Sequence, residues 1–174
     1  MTRLLLACLA ALLISGCGFH LRNSLTLPGD LGPVRVVAPD PYSPLSEAVA
    51  QALERAGATP AAAGAGDAAT LQISTERWGD TPIAIDAQGR AQEFSLRYAV
   101  VFDLKRASGE TLVPPQTIEL SRDYVAPPVD GIGTTSEREL LAREMRRDMV
   151  ASILRRIDAV SKAPAPAAAE TSSP

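Results

Sequence analysis

Apolar and polar positions alternate without a break from Phe94 to Leu104, where Phe94, Leu96, Tyr98, Val100, Phe102 and Leu104 fall on one side of an extended chain. A two-residue period marks a strand with one buried face. Ser95, Arg97 and Asp103 lie on the other side with Ala99 and Val101 between them, so that face is only partly wet. Ile118, Leu120, Arg122 and Tyr124 repeat the alternation and predict the next strand, which runs to a break at Pro127-Pro128. Upstream, Leu71, Ile73 and Thr75 predict a strand reaching toward Trp78. Ile83-Ala84-Ile85 continues extended structure beyond Gly79-Asp80-Thr81-Pro82. The β-branched run Val34-Arg35-Val36-Val37-Ala38, closed by Pro39, predicts the first strand. Asp86 to Arg90 and Lys105 to Glu110 carry the turn signals, around Gly89 and Gly109.

Two segments change to a helical period. Leu45, Val49, Leu53 and Ala56 share one face of a helix over 44–56, with Ser43 as N-cap, Pro44 in the first helical position and Gly57 at the end. Leu141, Met145, Met149, Ile153 and Ile157 recur every four residues, broadened by Val150, Leu154 and Val160. Arg143, Arg146, Arg147, Asp148 and Arg155 take the opposite face. Ser136 and Glu139 stand at capping-box spacing, so this helix is expected over 137–160. Residues 58–69 and 129–135 read as loops. The order is strand, helix, three strands, helix. It predicts an α/β fold, a two-layer sandwich whose four-stranded sheet carries both helices on one face. The other sheet face has no local cover and is either solvated or meets a partner.

The N-terminus sets the compartment. Arg3, the apolar run Leu4 to Ile14 and the small residues after it form a secretory signal pattern, too short to span a bilayer comfortably. Leu13-Ile14-Ser15-Gly16-Cys17 has the register of a bacterial lipobox, which makes Cys17 the lipidation site. Each buried CH₂ of an acyl chain contributes about 0.8 kcal/mol, and two or more chains anchor a protein stably to a membrane. Gly18 stands where an Asp would signal retention at the inner membrane, which favours the outer one. The chain therefore divides into a signal peptide (1–16), a lipidated tether (17–33), an α/β domain (34–161) and a Pro/Ala/Ser-rich tail (162–174) expected to be disordered.

Composition removes several function classes. The formal charge of −3 becomes one unit more negative once Arg3 leaves with the signal peptide, which argues against a nucleic-acid partner. Aromatics make up only 4% of the chain, so the core is modest and aliphatic, with little room for an internal active-site cavity. Cys8 and Cys17 are the two cysteines, so the processed chain keeps one and has neither an internal disulfide nor a cysteine-based metal site. His20 is the single histidine and sits in the tether with no acid or nucleophile near it in sequence. No phosphate-binding glycine loop or metal-protease motif occurs, and no cofactor is expected. Asp86, Glu93 and Asp103 are the only acids to weigh as an acid/base pair, and exposed strand carboxylates are ordinarily just solvated. The expectation is a protein that is not an enzyme.

Arginines are more informative, because a guanidinium fork matches phosphate and carboxylate oxygens. Arg97 and Arg122 project from strands, Arg90 sits at a hairpin tip, and Arg138 is expected in the first turn of the second helix. Arg90 and Arg138 are the candidates for an anionic ligand, as solvent-facing side chains with no fold role.

Several stretches resemble the LptE family of lipopolysaccharide-assembly lipoproteins. Gly16-Cys17-Gly18-Phe19-His20-Leu21-Arg22 is similar to that family's lipidated junction. Pro44-Leu45-Ser46, followed by Ala48-Val49, resembles its first helix start, and Gln92-Glu93-Phe94 its strand entry. Ser121-Arg122 and Arg143-Glu144-Met145 resemble its late strand and second helix. The resemblance is collinear over nearly the whole processed chain. It implies an outer-membrane lipoprotein, facing the periplasm, that plugs the lumen of the LptD β-barrel, helps it assemble and binds lipopolysaccharide, whereas Arg90 and Arg138 are candidate contacts on their placement alone. The hairpin departs from the family pattern because its basic residue, Arg90, follows Gly89. A pilot or chaperone lipoprotein for another outer-membrane complex is the alternative, and an anchored hydrolase ranks below both.

Overall fold

The computed structural model describes residues 27, 31–62, 64–126 and 131–162, with the backbone alone for 131–134. The signal peptide, Cys17, His20, most of the tether, the Pro127-Pro128 break and the tail from 163 lie outside the described residues.

The elements run β1 (Pro33–Val37), α1 (Pro44–Arg55), β2 (Thr59–Pro60), β3 (Ala69–Ile85), β4 (Ala91–Lys105), β5 (Thr111–Val125) and α2 (Gly131–Lys162). The strands form one sheet in the order β2-β1-β3-β4-β5. β1 pairs in parallel with both β2 and β3, while β3, β4 and β5 form an antiparallel meander. The sheet therefore has five strands, not the four expected. The extra one comes from the Ala/Gly/Thr segment read as a loop, where Thr59 and Pro60 pair with Pro33 and Val34. So short a pairing has no period to detect, and Pro60 is tolerated because β2 is an edge.

Turn chemistry holds the meander. At the β3–β4 tip the Asp86 carboxylate accepts from the backbone N–H groups of Gln88 and Arg90, both at 2.9 Å. Gly89 there adopts a φ of 77°, open to glycine at no steric cost. β3 crosses Gly79-Asp80-Thr81-Pro82 as one strand, with register shifts before it between Ile73 and Thr75 and after it between Pro82 and Ile85. β5 begins at Thr111, seven residues before its apolar alternation. Pro114 and Pro115 conceal this start, since they fall in the register shift opposite Phe102–Leu104, on an edge strand with an unpaired side.

Both helices lie on one sheet face, as expected. α1 packs on β1 and β2, α2 on β4 and β5, and the helices touch each other. Between the layers, Leu45 and Val49 of α1 and Met145, Met149, Ile153 and Ile157 of α2 are fully buried against Leu71, Ile73, Leu96, Tyr98, Val100, Phe102 and Leu104. α2 starts at Gly131 rather than 137, so Ser136 and Glu139 are interior and do not form a capping box. Gly and Thr are weak helix formers, but docking of the following turns on the sheet overrides local propensity here.

Candidate functional site

A bulge decides what β3 offers to the helices. Leu71 and Ile73 point into the core, but the register with β4 slips at Ser74, and Thr75 pairs with Val101 on the outer face. Glu76, Trp78 and Asp80 therefore turn inward, where Thr75 was expected to be. Two polar clusters form there. The Glu76 carboxylate accepts from Ser43 Oγ at 2.7 Å and from the Tyr98 hydroxyl at 2.8 Å. Ser43 also caps α1, its Oγ accepting from the backbone of Leu45 at 3.2 Å and of Ser46 at 3.4 Å. Trp78 stacks on Tyr98 with ring centroids 3.7 Å apart, and the Arg146 guanidinium lies 5.8 Å from the Trp78 ring. Burial, and then the Glu76 carboxylate, push the Tyr98 hydroxyl far above the usual tyrosine range, so it remains a donor.

The second cluster joins three elements. Arg138 of α2 donates to Asp80 through Nη2 at 2.7 Å and Nε at 3.0 Å, and the Tyr124 hydroxyl of β5 donates to the same carboxylate at 3.0 Å. The Arg138 hydrogen bonds hold the Asp80 carboxyl below the usual carboxylate range, against the opposing effect of its partial burial. Phe94 stacks on Tyr124 at 5.6 Å beside it. These contacts correct two expectations. Arg138 lies well inside α2 rather than in its first turn, and it clamps helix to sheet rather than standing free. Its surroundings were hidden because the bulge at Ser74 has no sequence signature.

Arg90 is at the hairpin tip as expected, with its side chain 59% exposed, but its Nε donates to Asp86 Oδ2 at 2.8 Å. Arg97 stands 3.8 Å from Glu119, and Arg122 pairs with Asp148 at 2.9 Å. The three weighed carboxylates do not assemble. Asp86 is committed to its turn, and Asp103 sits about 33 Å along β4 from Glu93 at the ordinary strand rise of about 3.3 Å per residue. Among the described residues no group of three or more His, Cys, Asp or Glu side chains is placed to hold a metal.

Known proteins share this arrangement. Among solved structures, a solution structure of a lipoprotein B from Nitrosomonas europaea superposes with a TM-score of 0.70 at 25% identity, covering 84% of this chain and 94% of that one. The rare lipoprotein B of Shewanella oneidensis gives 0.64 at 26% identity, over 74% and 95% of the two chains. In sequence, the LPS-assembly lipoprotein LptE of Photorhabdus laumondii is 28% identical over 159 residues, 91% of this chain and 86% of its own. The LptE of Yersinia enterocolitica is 26% identical over 163 residues, covering 88% and 74%. The family described as LptE, lipopolysaccharide-assembly, matches residues 31–157, from the segment before β1 to the last buried turn of α2. The chain belongs to the LptE lipopolysaccharide-assembly family.

Proposed function

We propose that this chain is an outer-membrane lipoprotein, anchored through Cys17 and facing the periplasm, that sits in the lumen of an LptD-like β-barrel, assists its assembly and contacts lipopolysaccharide on its way to the outer leaflet. The observation that carries this reading is the family match over residues 31–157, which spans all the described strands and nearly all of α2. The role is one of binding and scaffolding, without cofactor or metal. The sheet face left uncovered by helices supports it, with Arg97, Ala99, Val101 and Thr117 offering small and polar groups to a barrel wall.

Arg90 and Arg138 are the proposed phosphate contacts. Each is already paired with a carboxylate, Asp86 and Asp80, so an incoming phosphate has to displace or share that partner. Such contacts are reversible, which suits a ligand that passes through. Affinity purification of the acylated chain tests the central reading. A single stoichiometric β-barrel partner is expected, and stoichiometric recovery of a different outer-membrane complex would instead establish a pilot lipoprotein.

A further inference from the structure

Between the C-terminal half of α2 and the edge strand β5 lies a groove of about 480 Å³. That volume is in the range of small-ligand sites, about 300–1,000 Å³. Ile118 of β5 is buried beneath it, and Val160 of α2 packs against the same core, so the floor is apolar. The rim carries Arg155 and Arg156, neighbours in sequence that reach to different neutral partners. Arg155 Nη2 donates to Ser152 Oγ at 2.8 Å, and Arg156 Nη1 donates to Gln116 Oε1 at 2.6 Å.

Their pairing differs from that of the arginines held by carboxylates. Arg90, Arg122, Arg138 and Arg143 each have a carboxylate within 4.0 Å. Among the described residues Arg155 and Arg156 have none, so two full positive charges border an apolar floor. Each guanidinium has five N–H donors, and the neutral partner of each takes one. The remaining donors suit phosphate oxygens in the charge-assisted, forked geometry that arginine favours. A free phosphate would leave the floor wet. A peptide carboxylate would use the rim but needs no apolar trough of this volume. An anion carrying hydrocarbon uses both.

We propose that this groove is a binding site for a phosphate-bearing acyl glycolipid, the lipid A portion of lipopolysaccharide, with its phosphate on Arg155 and Arg156 and an acyl chain along Ile118 and Val160. The inference rests on the reading that this chain meets lipopolysaccharide, and it adds a contact region on a different part of α2 from Arg138.

The test uses the full-length chain in non-ionic detergent, titrated with purified lipid A, while methyl NMR follows Ile118 and Val160. Arg155→Gln/Arg156→Gln is expected to weaken binding at least about tenfold with unchanged melting, and removal of the lipid A phosphates to weaken wild-type binding to the same level. The Ile118 and Val160 methyl signals should shift on titration of the wild type. Wild-type affinity in the double variant would overturn the groove assignment and leave the lipopolysaccharide reading standing. Failure of the wild type to bind lipid A would sink both. Equal binding of phosphatidylglycerol vesicles would overturn the choice of glycolipid. Shifts of the same methyls on deleting residues 163–174, without lipid, would show that the chain's own end fills the groove and would overturn the proposal.

Discussion

Asp80, Tyr124 and Arg138 tie three elements together through one carboxylate. Both charged partners are partly exposed, so solvent screening limits the two-point ion pair to about 1 kcal/mol. Asp80 has a folded pKa below its unfolded value, so its contribution is complete above the unfolded value near pH 4 and is lost as pH falls through the folded one. Denaturant titration of Asp80→Asn is therefore expected to show a deficit of about 1 kcal/mol at pH 7 that closes as the pH drops below about 4; a constant deficit would assign the effect to packing. Arg138→Glu places a second carboxylate beside Asp80, so it lowers melting and is a poor probe of ligand binding. Arg138→Gln with Arg90→Gln is the cleaner pair, with a fall in lipopolysaccharide affinity at matched ionic strength as the expected reading. Leu96 and Met145 are fully buried, and an unpaired carboxylate at either costs several kcal/mol against a total stability of about 5–15. Leu96→Asp and Met145→Asp are each expected to abolish the cooperative thermal transition. At Cys17, substitution by Ala is expected to leave unprocessed precursor with its signal peptide attached, visible as a higher-mass band without acyl label.

At the scale of elements, Ser43 has more than one task. Its hydroxyl oxygen satisfies the start of α1 and its proton goes to Glu76, which links the helix N-terminus to β3. Caps of this kind typically contribute about 1 kcal/mol, and Ser43 is buried, so Ser43→Ala is expected to cost about 1–2 kcal/mol in chemical denaturation. Glu76→Gln, which keeps an acceptor for both hydroxyls, should cost less. The long edge strand β5 shows a different balance. Pro114 and Pro115 and their register shift blunt its first half against stray pairing, whereas Gln116 to Val125 has no proline and lies beneath α2.

At the scale of the whole molecule, one core among the described residues joins the two helices to one sheet face, and the opposite face carries strand pairing and surface contacts such as Arg35–Thr70 and Arg97–Glu119. Among those residues the buried core runs to Ile157, with Val160 packed against it. Deleting residues 163–174 is therefore expected to leave the melting temperature and barrel association unchanged, as measured by calorimetry and co-purification. The long helix α2 spans about 48 Å at about 1.5 Å per residue, so its two ends serve different regions of the sheet. Arg138 binds it near the β3–β4 side, and Arg156 meets β5 at Gln116, toward the β4–β5 hairpin.

The chain's periodicity alone determined both helical faces and the alternating core rows of β4 and β5, and turn residues marked the hairpins at Gly89 and Gly109. Each is a local property, side chains repeating at 2 or about 3.6 residues or a glycine at a turn, that needs no partner. Tertiary structure decided the rest. The two-residue strand β2 exists only because β1 lies alongside it, and α2 begins at Gly131 where local propensity predicted a loop. The bulge at Ser74 reverses the facing of β3 from Thr75 to Pro82, and so brings Glu76 to Tyr98 and Asp80 to Arg138. Arg90 and Arg138 were legible as cations, but the carboxylates that hold them were not equally so. Asp86 lies within the same turn as Arg90, whereas Asp80 is 58 residues from Arg138 and meets it only through sheet register and helix packing. The groove beside Arg155 and Arg156 has the same origin, since its walls come from a strand and a helix that only the fold makes neighbours.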